Sequence, residues 1–408
     1  MRIDLTKTLC ARMVNPALSG RYASNTLPSL AAKLSNEGVP VQIEHSSGTV
    51  SEAVAHLPST PDHISPCFFA TTDCEKFLPR KHVGHIDAGS PDMPPLAIKL
   101  TYFRGAGTAI GILISHCFCD ADSIIGFMQN WSRCYCGLEL QVTPLHDRCV
   151  VLRMPIKDTA SQPSGDFFAK QIDVIQRGSK WIPGFAPVMP KIMGQQACVI
   201  PCPGTEVKAW KASACGQVPT DCKFVSTDDV VSARIWQALV RVRCQQVGVA
   251  TDSDEPTTIM RAMNIRKRTS PPLGPGYCGN GVFGVWTQLT VRECLSMTPG
   301  HIAARLRSTL CSWTPDTISA YARWLQGHHK DGSLTKTRFD RFALTFVVSS
   351  WGFKWEDVNF KSKPLCFDHG AFVPIVAVLS PRHNCDGVNV WVSGKEDDVS
   401  RFIEYLKA

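Results

Sequence analysis

No uninterrupted apolar run in the 408 residues reaches the roughly 18 needed to span a bilayer as a helix. The first residues, Met1-Arg2-Ile3-Asp4-Leu5, lack the apolar centre of a secretory leader. There is no block of Lys and Arg, and no interleaving of basic and aromatic residues of the kind that tracks a phosphate backbone. The net charge of +8 is therefore dispersed, and it suits solubility or attraction of an anionic small molecule better than nucleic acid. Low-complexity segments are also missing. With 44% hydrophobic and only 19% charged residues, the chain has enough apolar side chain for sizeable cores.

Cysteine is abundant, at 18 residues, but its spacing excludes the common frameworks. No Cys-x-x-Cys occurs, and the pairs Cys117/Cys119, Cys134/Cys136 and Cys198/Cys202 have no His or Cys partner at zinc spacing. The 12 histidines, including His328-His329, likewise show no metal spacing, so no metal is expected. Reduced, buried thiols in a cytoplasmic protein are the expectation.

Read in order, the chain mixes strands and helices. Leu27 to Ser35 has a short helical pattern, Val39 to Ile43 a strand pattern, and Glu52 to Leu57 fits a short helix. A loop-rich stretch with seven prolines follows, from Pro58 to Pro95. Leu96 to Phe103 and Thr108 to Ser115 read as antiparallel partners joined by Arg104-Gly105-Ala106-Gly107. A helix is expected near 122 to 134, because Ile124, Ile125, Phe127, Met128 and Trp131 share a face. The prolines between 181 and 204 mark a crossover. Cys222 to Val225 reads as a strand, and Ser226-Thr227-Asp228-Asp229 as a capping box opening a helix to about Arg243. Strands are expected at 258 to 264, from Val282, at 343 to 350, 373 to 380 and 388 to 393. Helices fit 299 to 311, 315 to 327 and the stretch from Glu396. The class is α/β, with a β-α alternation less regular than a doubly wound fold.

The chemistry concentrates at His116-Cys117-Phe118-Cys119-Asp120, between the strand ending at Ser115 and the following helix. An imidazole titrates near neutral pH and can take a proton from a hydroxyl, and an Asp four residues on can fix its loop. His-x-x-x-Asp alone is a common pattern. Three further stretches give it context. They are Ser226 to Trp236; Asn264-Ile265-Arg266-Lys267-Arg268 with Pro271-Pro272-Leu273 and Tyr277-Cys278-Gly279-Asn280; and Ser349-Ser350-Trp351 with Asp357-Val358-Asn359-Phe360. In this order they resemble the landmarks of the BAHD acyltransferases, in particular the fungal branch near the trichothecene O-acetyltransferases. The resemblance runs from about residue 20 to the C-terminus.

That resemblance implies a two-lobed fold related to chloramphenicol acetyltransferase, with a central channel between the lobes. The expected division is 1 to 180, a crossover linker at 181 to 215, and 216 to 408. Acyl-CoA, acetyl-CoA first, would enter from one face as a co-substrate and a hydroxylated small-molecule acceptor from the other, with no cofactor held permanently. His116 would be the general base, and Asp120 a structural residue pairing with an Arg. The Ser349 hydroxyl or the Trp351 indole N–H would meet the oxyanion. A monomer is expected, with neither nucleic acid nor membrane as a partner.

Two departures stand out. Asn359-Phe360-Lys361-Ser362-Lys363 replaces the family's Asp-Phe-Gly-Trp-Gly, so Asn359 would hydrogen-bond Arg266 where the family's acid forms a salt bridge. The N-terminus is also short, which would leave the acceptor side more open or mark a truncated gene product. The alternative is a protein of this fold without acyl transfer, acting as a binder or on another step. Condensation domains share the fold but carry two adjacent histidines, and here Ser115 precedes His116. Cys117 and Cys119 have no neighbours that would make them nucleophiles.

Overall fold

The computed structural model describes residues 11–12, 33–34, 39–55, 57, 63–70, 76–79, 96–114, 119–145, 147–156, 165–169, 172–175, 196–330, 334–337, 344–353, 355–367, 376–382 and 385–408. In chain order the first strands are β1 Ala11–Arg12, β2 Lys33–Leu34 and β3 Val41–His45, followed by helix α1 Val50–Ala53 and strand β4 Cys67–Ala70. Then come β5 Leu96–Tyr102, β6 Thr108–Ile114, α2 Ala121–Tyr135, α3 Gly165–Ala169 and β7 Ile172–Ile175. The remainder is β8 Gln196–Pro203, α4 Gly204–Cys215, α5 Thr227–Val247, β9 Pro256–Asn264, β10 Val282–Thr290, α6 Val291–Ser296, α7 Pro299–Cys311, α8 Pro315–Lys330, β11 Leu334–Thr337, β12 Leu344–Ser350, β13 Val376–Pro381, β14 Gly387–Gly394 and α9 Glu396–Lys407.

Among the described residues a seven-stranded mixed sheet, in the order β10-β9-β12-β13-β14-β8-β4, forms the frame. Strand β12 runs parallel to both of its neighbours. One face of the sheet carries α4, α5, α7 and α9, whose buried side chains join those of β8, β9, β12, β13 and β14 in the largest core. Helix α5 lies at its centre. Its Trp236 is fully buried, and its indole N–H donates to Thr257 Oγ1 at 3.1 Å, so the polar edge of the ring stays satisfied. A second core gathers Trp313, Ile318 and Tyr321 with Phe168, Met263 and Val285. The three-stranded sheet β3-β5-β6 packs on α2 through Ile98, Leu100, Ile125, Met128 and Trp131.

The hairpin β5–β6 is antiparallel as expected, with Leu96 opposite Ile114 and Tyr102 opposite Thr108. Asp120 caps α2, whose buried positions include Ile125, Phe127, Met128 and Trp131, whereas Ile124 is only half-buried. Three local expectations fail, at Cys222 to Val225, in the stretch read as a linker and at Leu27 to Ser35. Cys222 to Val225 is not a strand, although Val225 is buried in the core. Cys222 closes a turn onto Pro219, and the segment meets no strand among the described residues. The second concerns the stretch read as a linker. Residues 196–215 form the inner strand β8 and helix α4. Pro201 and Pro203 suggested a loop, but β4 pairs only with Gln196 to Val199, so among the described residues both prolines lie where β8 has β14 alone beside it. A missing N–H costs no ladder bond there. The short helix expected at Glu52 to Leu57 spans Val50–Ala53, and the part of Leu27 to Ser35 that is described, Lys33–Leu34, pairs with β1 as strand.

Candidate active site

Strand β6 delivers the chain to Ile114, and α2 begins at Ala121. Ser115, His116, Cys117 and Phe118 lie outside the described residues, and Cys119 and Asp120 lead into α2. Asp120 is the N-cap of α2 and almost fully buried. Its carboxylate takes four hydrogen bonds. Oδ1 accepts from the Ser123 backbone N–H at 3.0 Å and from Arg266 Nη2 at 2.9 Å. Oδ2 accepts from Arg266 Nη1 at 2.8 Å and from the Gly281 N–H at 2.8 Å. The capping bond satisfies a first-turn donor, and the acid suits the helix dipole. The paired Arg bonds are bidentate, the strong geometry for a buried carboxylate.

Arg266 is equally committed. Its other contacts include the Ser123 hydroxyl at 2.9 Å, the Gly279 carbonyl at 3.0 Å, the Tyr277 carbonyl at 3.3 Å and the Asp122 carboxylate at 3.2 Å. Burial alone would pull the guanidinium pKa down, but the hydrogen bonds and charge of Asp120, with Asp122 behind it, leave it raised. Ser123 also exchanges bonds with Gly279, donating to its carbonyl at 2.9 Å and accepting from its N–H at 3.0 Å. The loop from Tyr277 to Gly281 is thereby clamped to the first turn of α2. A Cβ on Gly281 would come within 2.7 Å of Arg266 Nη1, so glycine is what lets the backbone approach the guanidinium. On its other side the loop pairs with Leu145, through Leu145 N–H to Gly276 O at 2.7 Å and Cys278 N–H to Leu145 O at 2.8 Å.

This geometry assigns Arg266 to Asp120 and Asp122, and corrects the expected bond from Asn359. Asn359 is exposed, and its carbonyl accepts the Cys136 thiol at 3.3 Å, at the far end of α2. Phe360 packs edge-on against Trp131 and Tyr135, with centroids 5.0 and 5.6 Å away, and Lys361 Nζ sits 5.9 Å over the Tyr135 ring. The altered segment thus stays docked on α2 through Phe360, the residue it shares with the family pattern.

The end of β12 carries the other candidates. Ser349 and Trp351 are half-buried and hydrogen-bonded to each other, with the Trp351 indole N–H donating to Ser349 Oγ at 3.1 Å. The two expected oxyanion donors are therefore coupled: the indole hydrogen points at the Ser349 oxygen, and the Ser349 hydroxyl keeps its own hydrogen for a further acceptor. Between them Ser350 points the other way and donates to Asp228. Asp228 and its buried neighbour Asp229 pair with Arg261, and Asp229 also with Arg307 and the Ser226 N–H. Burial would raise the Asp229 pKa, but Arg261, the Ser226 bonds and Arg307 hold it below the usual carboxylate range. The capping box predicted at Ser226 is present, and its acid doubles as the centre of a buried ion cluster, which spacing alone could not show. Ser123 and Gly281 were also missed, because a serine and a glycine have no signal until the fold brings positions 123 and 281 together. Among the described residues no cluster of His, Cys, Asp and Glu could hold a metal ion.

A sequence model of the Transferase family matches residues 63–407. The chain belongs to this family, that of the BAHD acyltransferases. A hydroxycinnamoyltransferase of Narcissus pseudonarcissus is 25% identical over 277 residues, covering 67% of this chain and 58% of that protein. The O-acetyltransferase PaAT-2 of Phomopsis amygdali is 26% identical over 250 residues, covering 56% of this chain and 49% of that protein. The matched region thus spans about half the length of these BAHD relatives. Among solved structures, TRI101 of F. graminearum, crystallised with coenzyme A and T-2 mycotoxin, superposes with a TM-score of 0.72 at 16% identity, covering 98% of this chain and 86% of that one. Vinorine synthase superposes with a TM-score of 0.63 at 20% identity, over 93% and 78%. The fold is the BAHD fold, as the motif order implied.

Proposed function

We propose that this BAHD protein is an acyl-CoA-dependent O-acyltransferase that acetylates a hydroxyl of a secondary metabolite, acting as a cytoplasmic monomer. The observation that carries the reading is the bidentate Asp120–Arg266 pair. It ties the end of the His116-to-Asp120 segment to the Tyr277–Gly281 loop at the point where β6 gives way to α2. Such an anchor makes sense if the residues just before it need a set position.

In this reading His116 takes the proton of the acceptor hydroxyl, and the oxygen attacks the thioester carbonyl carbon. Charge moves to the carbonyl oxygen, which the Ser349 hydroxyl meets with its hydrogen while Trp351 holds Ser349 in place. The tetrahedral intermediate collapses, the carbon–sulfur bond breaks, and the thiolate recovers the proton from the imidazolium. No acyl-enzyme forms. Asp120, saturated by four donors, is a positioning residue and does not exchange protons with substrate. PaAT-2, named an O-acetyltransferase, supports the choice of an acetyl group, and TRI101, crystallised with coenzyme A, supports a coenzyme A thioester as donor.

The test is calorimetric binding of acetyl-CoA, with thioester hydrolysis followed in the same sample. Saturable binding, with slow hydrolysis lost in His116→Ala while binding remains, is the expected outcome. Full turnover in His116→Ala would sink the general-base role. Failure to bind any acyl-CoA would favour the reading without acyl transfer.

A further inference from the structure

Beside Trp351 lies a small cavity of about 30 Å³, room for one water-sized group. Its floor is the sheet. Ser380 on β13 stands opposite Asn389 on β14, and Trp391 follows two residues later on the same face. Its roof is aromatic. Trp355 and Phe367 stack with centroids 3.6 Å apart, and Phe353 meets Trp355 edge-on at 6.3 Å. Trp351 joins this wall through Phe353 and Phe367, each at 6.1 Å, and its backbone N–H is bonded to Leu379, next to Ser380. The aromatic wall of the cavity therefore packs against Trp351, at the end of β12 that also carries Ser349.

Two of its lining groups are buried with no hydrogen-bond partner among the described residues: Asn389 Oδ1, an acceptor, and Trp355 Nε1–H, a donor. Asn389 is only 7% exposed. The nearby Trp391 indole shows the normal arrangement, donating to Ser380 Oγ at 2.9 Å. Leaving two opposite polar groups unpaired in one buried cavity is costly. A neutral O–H group, of a water or of a bound alcohol, answers both: it gives its hydrogen to the amide oxygen and accepts the indole hydrogen on its lone pair. A carbonyl would answer only the indole, and an ammonium only the amide oxygen.

We infer that this cavity is a recognition subsite for a second, non-reacting hydroxyl of the acceptor, whose ring skeleton lies against the Trp351–Phe353–Phe367 wall. The acceptor class is thus a ring compound carrying at least two hydroxyls, and Asn389 and Trp355 are its specificity-determining residues. This rests on the acyl-transfer reading above.

The experiment measures acetyl transfer to matched pairs of aryl, cycloalkyl and fused-ring alcohols, each diol beside its deoxy analogue. One pair is 1,4-benzenedimethanol with 4-methylbenzyl alcohol. In the unaltered protein kcat/KM should favour the diol by about ten- to a hundred-fold in at least one pair, the scale of a buried hydrogen-bonded hydroxyl. In Asn389→Leu that preference should fall to about two-fold, the statistical value for two equivalent hydroxyls, mainly through KM, while transfer to the deoxy analogue persists and shows the variant is folded. Trp355→Phe keeps the stack on Phe367 and removes only the donor, so it should act in the same direction and replaces the first variant if that one does not fold. An unchanged ratio in the folded variants overturns the subsite, as does the absence of any diol preference. A raised KM for acetyl-CoA at constant ratio also overturns it and assigns the cavity to the donor. Absence of acetyl transfer to every alcohol overturns the underlying reading, and the subsite with it.

Discussion

The carboxylate of Asp120 and the guanidinium of Arg266 are both buried, and each is answered by the other. Removing one leaves a desolvated charge with partners missing, a loss of about 3–5 kcal/mol. Asp120→Ala should therefore lower stability by about that amount in urea titration, and Arg266→Met in the same chain should restore part of it. If each single variant costs less than about 1 kcal/mol, the pair is not the anchor described here. Lys361 stands where the family pattern has the Gly of Asp-Phe-Gly, and its φ is +63°, the left-handed region that side chains resist. Lys361→Gly should stabilise the protein by about 1 kcal/mol, read as a rise in the denaturation midpoint. The same change at Lys363 should not.

At the scale of elements, α5 shows how one local signal takes on a tertiary load. Ser226 and Asp229 form the reciprocal cap, and the same Asp229 receives Arg261 from β9 and Arg307 from α7. Its folded pKa is lowered from an ordinary value of 3.8. The folded state therefore holds on to this proton less tightly than the unfolded state, and stability rises with pH in the window between the two values. The contribution is complete above about 3.8 and disappears as pH falls through the lower folded value. Denaturation from pH 2.5 to 6 should show this acid limb, and Asp229→Asn should be less stable at pH 6 with a flatter limb. Ser226→Ala should cost about 1 kcal/mol on the same assay, as loss of a helix cap does. Strand β8 makes the opposite point: its prolines read locally as a loop, and only the short reach of β4 makes them compatible with a sheet.

For the molecule as a whole, the described cysteines divide by place. Cys198, Cys202, Cys244 and Cys294 are buried in the largest core, whereas Cys215 and Cys311, at the ends of α4 and α7, are exposed. Burial pushes the Cys198 thiol up to about 12 and the Cys202 thiol up to about 11, so these hold their protons and stay unreactive in the folded state. Iodoacetamide at pH 8 followed by peptide mapping should label Cys215 and Cys311 first, and the four core thiols only after denaturation. Early labelling of Cys198 would contradict the burial of β8 in the largest core.

Periodicity and turn chemistry in the sequence determined most elements of this protein: the β5–β6 hairpin, α2, capped α5, α7, α8, α9 and the strands around them. These depend on near neighbours, whose spacing sets amphipathic faces and caps. The order of the motifs was enough to indicate the BAHD fold. Tertiary structure decided what spacing cannot encode. It gave Arg266 to Asp120 and Asp122, turned Trp351 onto Ser349, and drew Ser123, Gly279 and Gly281 into one web. It also placed β8 inside the sheet, and brought Asn389 and Trp355 to one cavity. Each of these joins groups distant in the chain, and the cost of leaving a buried charge or hydrogen-bonding group unanswered selects the partners only once folding has brought them together.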